Sequence, residues 1–209
     1  GARGGKVRID RLPIGIALGI VPCNVPIFLA CLKLATALLA GCPVVLKPSP
    51  ENVDSMACFS RYLARMDLPA GAGNLILGGR ILGDHLVRND VFRKVSFTGS
   101  SASGLAVAQL CAQRFARVTL ELGGKSSAIL LDDVDFTEVK DQLWLAMLQN
   151  NGQVCGAQSR VLIPKSRAPE LRAALREMFE ETVVGDPRLP ETGVGPVVTA
   201  AAANRIRNT

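Results

Sequence analysis

The sequence predicts an α/β fold built on a doubly wound parallel sheet, and three observations predict it. Short β-branched apolar runs alternate with longer segments of helical periodicity along most of the 209 residues, the pattern of successive βαβ units. Glycine and proline mark the junctions, where strands give way to helices. With 48% hydrophobic and 20% charged residues, the chain has enough apolar side chains to cover both faces of such a sheet.

The elements follow in order. The apolar run 14–21 reads as a buried strand, and 27–40 as a mostly apolar helix stopped by Gly41. A strand at 43–46, a helix at 53–66 and a strand at 74–77 come next. A short helix at 81–88 leads to a strand at 94–97, and after the turn 99–104 a helix covers 105–114. Strands at 118–122 and 127–131, an amphipathic helix at 135–148, a strand at 161–164 and a helix at 168–181 complete the series. A domain boundary belongs near Gly123-Gly124 or just before Gly152. Sheets of this kind bind ligands beyond the carboxyl ends of their strands.

Composition excludes several functions. The formal charge of +6 raises the question of nucleic acid, but Lys and Arg are scattered, and seven Phe, one Tyr and one Trp offer little to stack bases. No nucleic-acid partner is expected. Of the six cysteines none forms a CxxC pair, and His85 is the only histidine, so no metal site is predicted. Cysteines set among Leu, Ala and Val read as reduced, buried thiols, which points to the cytoplasm. Residues 1–10 do not read as a signal peptide. The apolar stretch 14–46 is broken by Pro22, Asn24, Pro26, Lys33, Gly41 and Pro43, so no membrane span is expected. Without an initiator Met or a terminal element, the chain reads as a fragment.

Several residues could carry chemistry. The turn Phe97-Thr98-Gly99-Ser100 follows a strand and opens a helix, where backbone N–H groups can hold a phosphate and Ser100 adds a hydroxyl. The GxGxxG fingerprint is missing, and a plain strand–turn–helix corner accounts for the turn equally well. Lys47, ending a strand before Pro48-Ser49, is placed to bind ribose or phosphate, but taken alone it reads better as an ordinary solvated lysine. Cys155 stands among amides and glycines in Asn150-Asn151-Gly152-Gln153-Val154-Cys155-Gly156, a turn in which a thiol can be reactive. Glu121 is a lone carboxylate ending an apolar strand, a setting that can raise a pKa and supply a general base. Read singly, Cys155 is better taken as a buried structural thiol and Glu121 as a salt-bridged strand end. Asn24 is either an oxyanion donor or a helix N-cap. Lys33, the one charge in an apolar helix, is either buried and paired or snorkelling to water.

Taken together, these segments resemble the aldehyde dehydrogenase superfamily. The resemblance rests on Pro22-Cys23-Asn24-Val25-Pro26, Leu46-Lys47-Pro48-Ser49, Phe97-Thr98-Gly99-Ser100, Leu120-Glu121-Leu122-Gly123-Gly124-Lys125-Ser126 and Gly152-Gln153-Val154-Cys155. Five blocks occur in the family's order, with Glu121 and Cys155 34 residues apart. The resemblance implies a Rossmann-like cofactor domain over 1–123, lacking its N-terminal part, and the start of a second α/β catalytic domain over 124–209. It also implies oxidation of an aldehyde to an acid with NAD or NADP. Cys155 would form the thiohemiacetal and thioester, Asn24 would hold the oxyanion, Glu121 would activate water, and Lys33 would support the proton route from that base. Cysteine suits this role because it attacks and leaves well.

On the cofactor side the resemblance assigns Lys47 to the adenosine ribose, Gly79 to the adenine side, and Gly99 and Ser100 to the pyrophosphate, with Ser49, Phe97 and Thr98 also at the cofactor. The backbone of Val21, Pro22 and Cys23 would line the nicotinamide end, and that of Leu122 would hold its amide, with Gly123 also at the cofactor. The partners implied are a small aldehyde and identical subunits in the parent enzyme. Two alternatives stay open: a non-catalytic nucleotide-binding fragment, and an enzyme that passes the acyl group to CoA, against which the presence of Glu121 counts. Cys23 stands where the family commonly has an aromatic residue. Pro50 stands where NAD-preferring members often carry a glutamate, which makes NADP use plausible, although Glu51 is adjacent.

Overall fold

Residues 5–208 are described by the computed structural model of the protein, and they divide between Glu121 and Leu122 into two units. In the first, β1 (Ile16–Val21) leads to α1 (Pro26–Leu39), and β2 (Val44–Pro48) leads through a 3-10 turn (Pro50–Asn52) to α2 (Val53–Leu63). Then come β3 (Gly73–Leu75), α3 (Arg80–Arg88), β4 (Phe92–Gly99), α4 (Ser101–Ala112) and β5 (Arg117–Leu122). The sheet order is β3-β2-β1-β4-β5. β1 pairs in parallel with β2 and β4, and β2 with β3. This is the parallel α/β sheet expected from the alternating sequence pattern.

Helices cover the two faces separately. On one, Ala30 and Leu34 of α1 and Met56 of α2 pack against Ala17, Val21, Val44 and Leu46 of β1 and β2. On the other, α3 and α4 pack on each other and against β4, and α3 also reaches β1. Arg114 ties this second layer down, with Nε donating to Val87 O (2.9 Å) and Nη1 to Phe92 O (2.5 Å).

In the second unit, β6 (Ser127–Ile129) and β7 (Arg160–Leu162) form a two-stranded parallel sheet. Helices α5 (Phe136–Leu148) and α6 (Ala168–Glu181) pack on it around Ala128, Leu143 and Met178. Trp144 Nε1 donates to Thr182 Oγ1 at 2.8 Å, giving a large half-buried ring its polar partner.

The differences from the expected elements have local causes. α4 starts at Ser101 rather than Leu105, because Ser100 accepts a hydrogen bond from the Ser103 N–H and caps the helix four residues earlier. β4 runs from Phe92, which is buried and pairs with Ile16 of β1 ahead of a register shift. An unexpected helix, α7 (Ala200–Arg207), forms from an alanine run capped by Thr199. Cys31 and Cys58 are exposed, not buried: apolar neighbours in sequence do not fix which side of a helix a residue occupies. Among the described residues no helix is long and apolar enough to cross a membrane, and no group of acidic, His or Cys side chains is placed to hold a metal.

Leu46 is completely buried where α1, β1 and β2 meet. Leu46→Ala is expected to destabilise the protein by about 2–5 kcal/mol, measured by denaturant unfolding.

Candidate functional site

Strand order reverses between β1 and β4, and a parallel sheet opens a crevice at such a point. A cavity of about 450 Å³ lies there, at the carboxyl ends of β1, β2 and β4. Of the residues expected at a cofactor, Val21, Pro22, Lys47, Ser49, Phe97, Thr98, Gly99 and Ser100 form its walls, whereas Cys23 and Gly79 do not. Gly79 is the N-cap residue of α3, and the following Arg80 is the one that reaches the cavity. Leu122 and Gly123 begin the second unit.

The walls are chemically uneven. Lys47 is buried, not solvated, and its ammonium donates to Pro48 O at 3.0 Å. Burial holds its pKa below the ordinary lysine value, with the Glu51 charge pulling the other way. Glu51 accepts a short hydrogen bond from the Ser49 hydroxyl. That bond, then backbone hydrogen bonding and the charge of Lys47, keep its carboxyl below the usual range against a smaller effect of burial. Burial, aided by the same carboxylate, pushes the Cys23 thiol up.

Thr98 is buried, and its Oγ1 has no hydrogen-bond partner among the described residues, an unusual state for a buried hydroxyl. Gly99 is required by packing as well as by any ligand: a Cβ there would lie 2.6 Å from Cζ of Phe97. The Ser100 side chain is engaged as the α4 cap.

The loop from β1 to α1 carries Asn24. Val25, not Asn24, is the N-cap residue, and no side chain caps the helix, which removes the capping alternative for Asn24. The loop is pinned from below by Asn52, whose buried amide donates to Pro22 O at 3.0 Å.

Lys33 lies across the sheet and does not snorkel. It is 7% exposed, and Nζ donates to Ser96 Oγ on β4 at 2.9 Å. Gly19 makes room: a Cβ there would meet the Lys33 chain at 3.3 Å and Leu46 Cδ2 at 2.7 Å. Since Gly19 pairs with Ser96 and side chains alternate along a strand, Lys94, Ser96 and Thr98 share the face of β4 towards α1. A second cavity of about 420 Å³ opens there, with Lys33, Lys94, Ser96, Arg117 and Thr119 among its walls, and Lys94 donates to Thr119 Oγ1. Burial lowers the pKa of Lys33 to about 8; Glu121 opposes the shift and Lys94 adds to it. Glu121 is thus brought within electrostatic reach of Lys33, itself exposed near the end of β5.

In the second unit Cys155 is exposed on a turn. The Ala157 N–H donates to Val154 O at 3.1 Å and closes that turn. Gly124 stands beside it, its notional Cβ 3.7 Å from Cys155 O.

Comparison with known proteins gives this geometry a lineage. The model of the aldehyde dehydrogenase family matches residues 2–209. The chain belongs to the aldehyde dehydrogenase family. It is 38% identical to a geranial dehydrogenase of Castellaniella defragrans over 98% of this chain and 43% of that protein. A putative aldehyde dehydrogenase of Staphylococcus aureus is 38% identical over 99% of this chain and 44% of its own length. Among solved structures, an aldehyde dehydrogenase C variant from Pseudomonas syringae, in complex with NAD+ and octanal, superposes with a TM-score of 0.90 at 37% identity, over 95% of this chain and 41% of that one. The Mycobacterium tuberculosis aldehyde dehydrogenase bound to NAD+ gives 0.89 at 38% identity, over 94% and 41%. The chain therefore spans well under half the length of these family members.

Sequence reasoning missed part of the cleft wall. Arg80, Gly83, Asp84 and Val87 of α3, and Ser103, Ala106, Val107 and Leu110 of α4, line it. Both sets follow i, i+3, i+4, i+7 spacing, the signal that could have found them once the two helices were placed on the cleft side. Asn52 and Ser96 gave no such signal.

The buried amine yields a pH prediction. With its folded pKa lowered, protonated Lys33 disfavours the folded state. Stability relative to Lys33→Met is therefore expected to rise as pH climbs from about 8 towards the unfolded-state value, and to be constant below that window. Unfolding midpoints of both proteins measured across that range check it.

Proposed function

We propose that this chain forms the cofactor cleft and supplies the nucleophile of an enzyme that oxidises an aldehyde to a carboxylic acid with NAD or NADP, through a cysteine thiohemiacetal and thioester. The observation that carries the reading is the cleft at the strand-order reversal. There the N-terminus of α4 and the buried Lys47 converge, a donor set suited to a pyrophosphate and ribose. The NAD+ complexes of the Pseudomonas syringae and Mycobacterium tuberculosis relatives support the same cofactor class. Lys47 and Ser49 would take the adenosine ribose, Gly99, Ser100 and the first turn of α4 the phosphates, and Val21, Pro22 and Cys23 the nicotinamide end, with Leu122 and Gly123 at its amide. Glu51 and Arg80 bring opposite charges to the wall, so both cofactors remain within the proposal.

When bound, the nicotinamide accepts a hydride from the substrate. The rest is the work of the chain. The Cys155 thiolate adds to the carbonyl carbon, and the resulting oxyanion is held by the Asn24 amide and the Cys155 N–H. Once oxidised, the substrate is a thioester on sulfur. Glu121 removes a proton from water, the hydroxide adds to the thioester, and the Cys155 thiolate leaves as the acid forms. Lys33 receives the electrostatic load of Glu121 and assists release of that proton. The substrate is a small aldehyde, and the octanal complex of the relative fits that class. A cytoplasmic enzyme of identical subunits completes the proposal, and six free thiols are compatible with a reducing compartment.

Cys155→Ala is expected to abolish aldehyde oxidation while leaving cofactor affinity, measured by titration, unchanged. Glu121→Gln should let acyl-enzyme accumulate, detectable by intact mass. Turnover of this variant at the parental rate would remove Glu121 from the base role. Asn24→Ala should lower kcat by ~10²–10³-fold, the effect of one lost oxyanion donor.

A further inference from the structure

Three consecutive residues before the Cys155 turn occupy the left-handed region: Asn150 (φ 53°), Asn151 (φ 58°) and Gly152 (φ 71°). Glycine adopts this conformation freely. Asparagine tolerates it better than other side-chain-bearing residues, but two in succession do not hold it unaided. Such backbone persists where its surroundings impose it.

What imposes it is side-chain amide chemistry within the second unit. Asn151 Nδ2 donates to Pro196 O at 2.9 Å, and Asn151 Oδ1 accepts from the Gly195 N–H at 2.9 Å. Two residues on, Gln153 Oε1 accepts from the Val198 N–H at 3.1 Å, while Gln153 Nε2 donates back to Asn150 O at 3.3 Å. The 150–153 segment is thereby bound to the 195–198 segment at three points. On the other side of the thiol, the Gln158 N–H donates to Ala146 O at 2.9 Å. No regular strand runs between α5 and β7, so this stretch lacks the ladder that would otherwise fix it. Each amide works by donating and accepting together. An aspartate at 151 would lose the donation to Pro196 O, and an aliphatic residue would lose both bonds.

We infer that Asn151 and Gln153 are positioning residues for the nucleophile: their amide clamp to the 195–198 segment fixes the turn from which Cys155 attacks. The inference rests on the nucleophilic role proposed above for Cys155. Neither amide touches the reacting atoms. They act through the backbone, four and two residues ahead of the sulfur. Misplacing an attacking group by an ångström is enough to cost ~10²-fold in rate, so the clamp is expected to appear in kcat and not in cofactor affinity.

The test uses Asn151→Gly, Asn151→Ala and Gln153→Leu in the intact enzyme. Asn151→Gly is the decisive variant, because glycine keeps the left-handed backbone without strain and removes only the clamp. In the clamped arrangement, amide hydrogen exchange in peptides covering 150–158 and 194–199 accelerates in Asn151→Gly and Asn151→Ala alike. At the same time kcat falls ~10- to 100-fold, with KM for NAD+ within twofold of the parent. Gln153→Leu should speed exchange at Val198. Parental exchange and parental kcat in Asn151→Gly would overturn the inference, leaving backbone conformation as the residue's whole role. Faster exchange with unchanged kcat would equally overturn it, since the clamp would then be structural and nothing more. If the parent enzyme shows no aldehyde oxidation at all, it is the proposed function that fails, and the exchange data still report whether the clamp exists.

Discussion

The pairing of β1 with β4 is the constraint on which the first unit depends. It places the reversal of strand order at one seam, and the crossovers on either side of that seam lie on opposite faces of the sheet, so the loops diverge and a cleft opens. The same register, Gly19 against Ser96 and Ile20 against Phe97, sends the polar side chains of β4 to the α1 side and its apolar ones to the α3–α4 side. A slip of a single residue would turn Val95 and Phe97 towards α1 and drive Lys94 and Ser96 into the α3–α4 layer. Lys33 passes over β1 to Ser96 where position 19 carries no side chain, and a Cβ there would also strike Leu46. One pairing thus fixes a ligand cleft and the environment of a buried amine.

The two units hold their functional segments by different means. In the first, the loops around the cleft continue directly from strands in a five-stranded ladder, with Asn52 adding one hydrogen bond beneath Pro22. In the second, the thiol-bearing stretch follows a helix and precedes a three-residue strand. There, side-chain amides replace the ladder. Rigidity of the first kind comes with the fold. Rigidity of the second kind is residue-specific, since it rests on the Asn151 and Gln153 side chains.

Much of the fold was legible because periodicity reports burial directly. The alternation of apolar runs located every strand and all the helices but α7, and the glycine turn at 99 marked the cleft edge. Boundaries shifted where a cap decided them, as Ser100 did for α4, since capping depends on a hydrogen bond that apolar spacing does not encode. The cleft residues that ended strands, Lys47 and Phe97 to Gly99, could be singled out from position, but only the resemblance to the family chose the cofactor role over a solvated lysine and a plain corner. Those contributed by α3 and α4 were not, because nothing in the sequence says which helical face will meet the seam. Ser96 and Asn52 were out of reach for a simpler reason: each matters through a partner dozens of residues away, Lys33 in one case and Pro22 in the other.

The ring of Phe97 occupies the space that a side chain at position 99 would need. Glycine is therefore demanded at that corner by the sheet's own interior, whatever molecule visits the cleft. The persistence of this glycine in a protein that had lost its cofactor would be no surprise, and its presence is a poor witness to what the cleft binds.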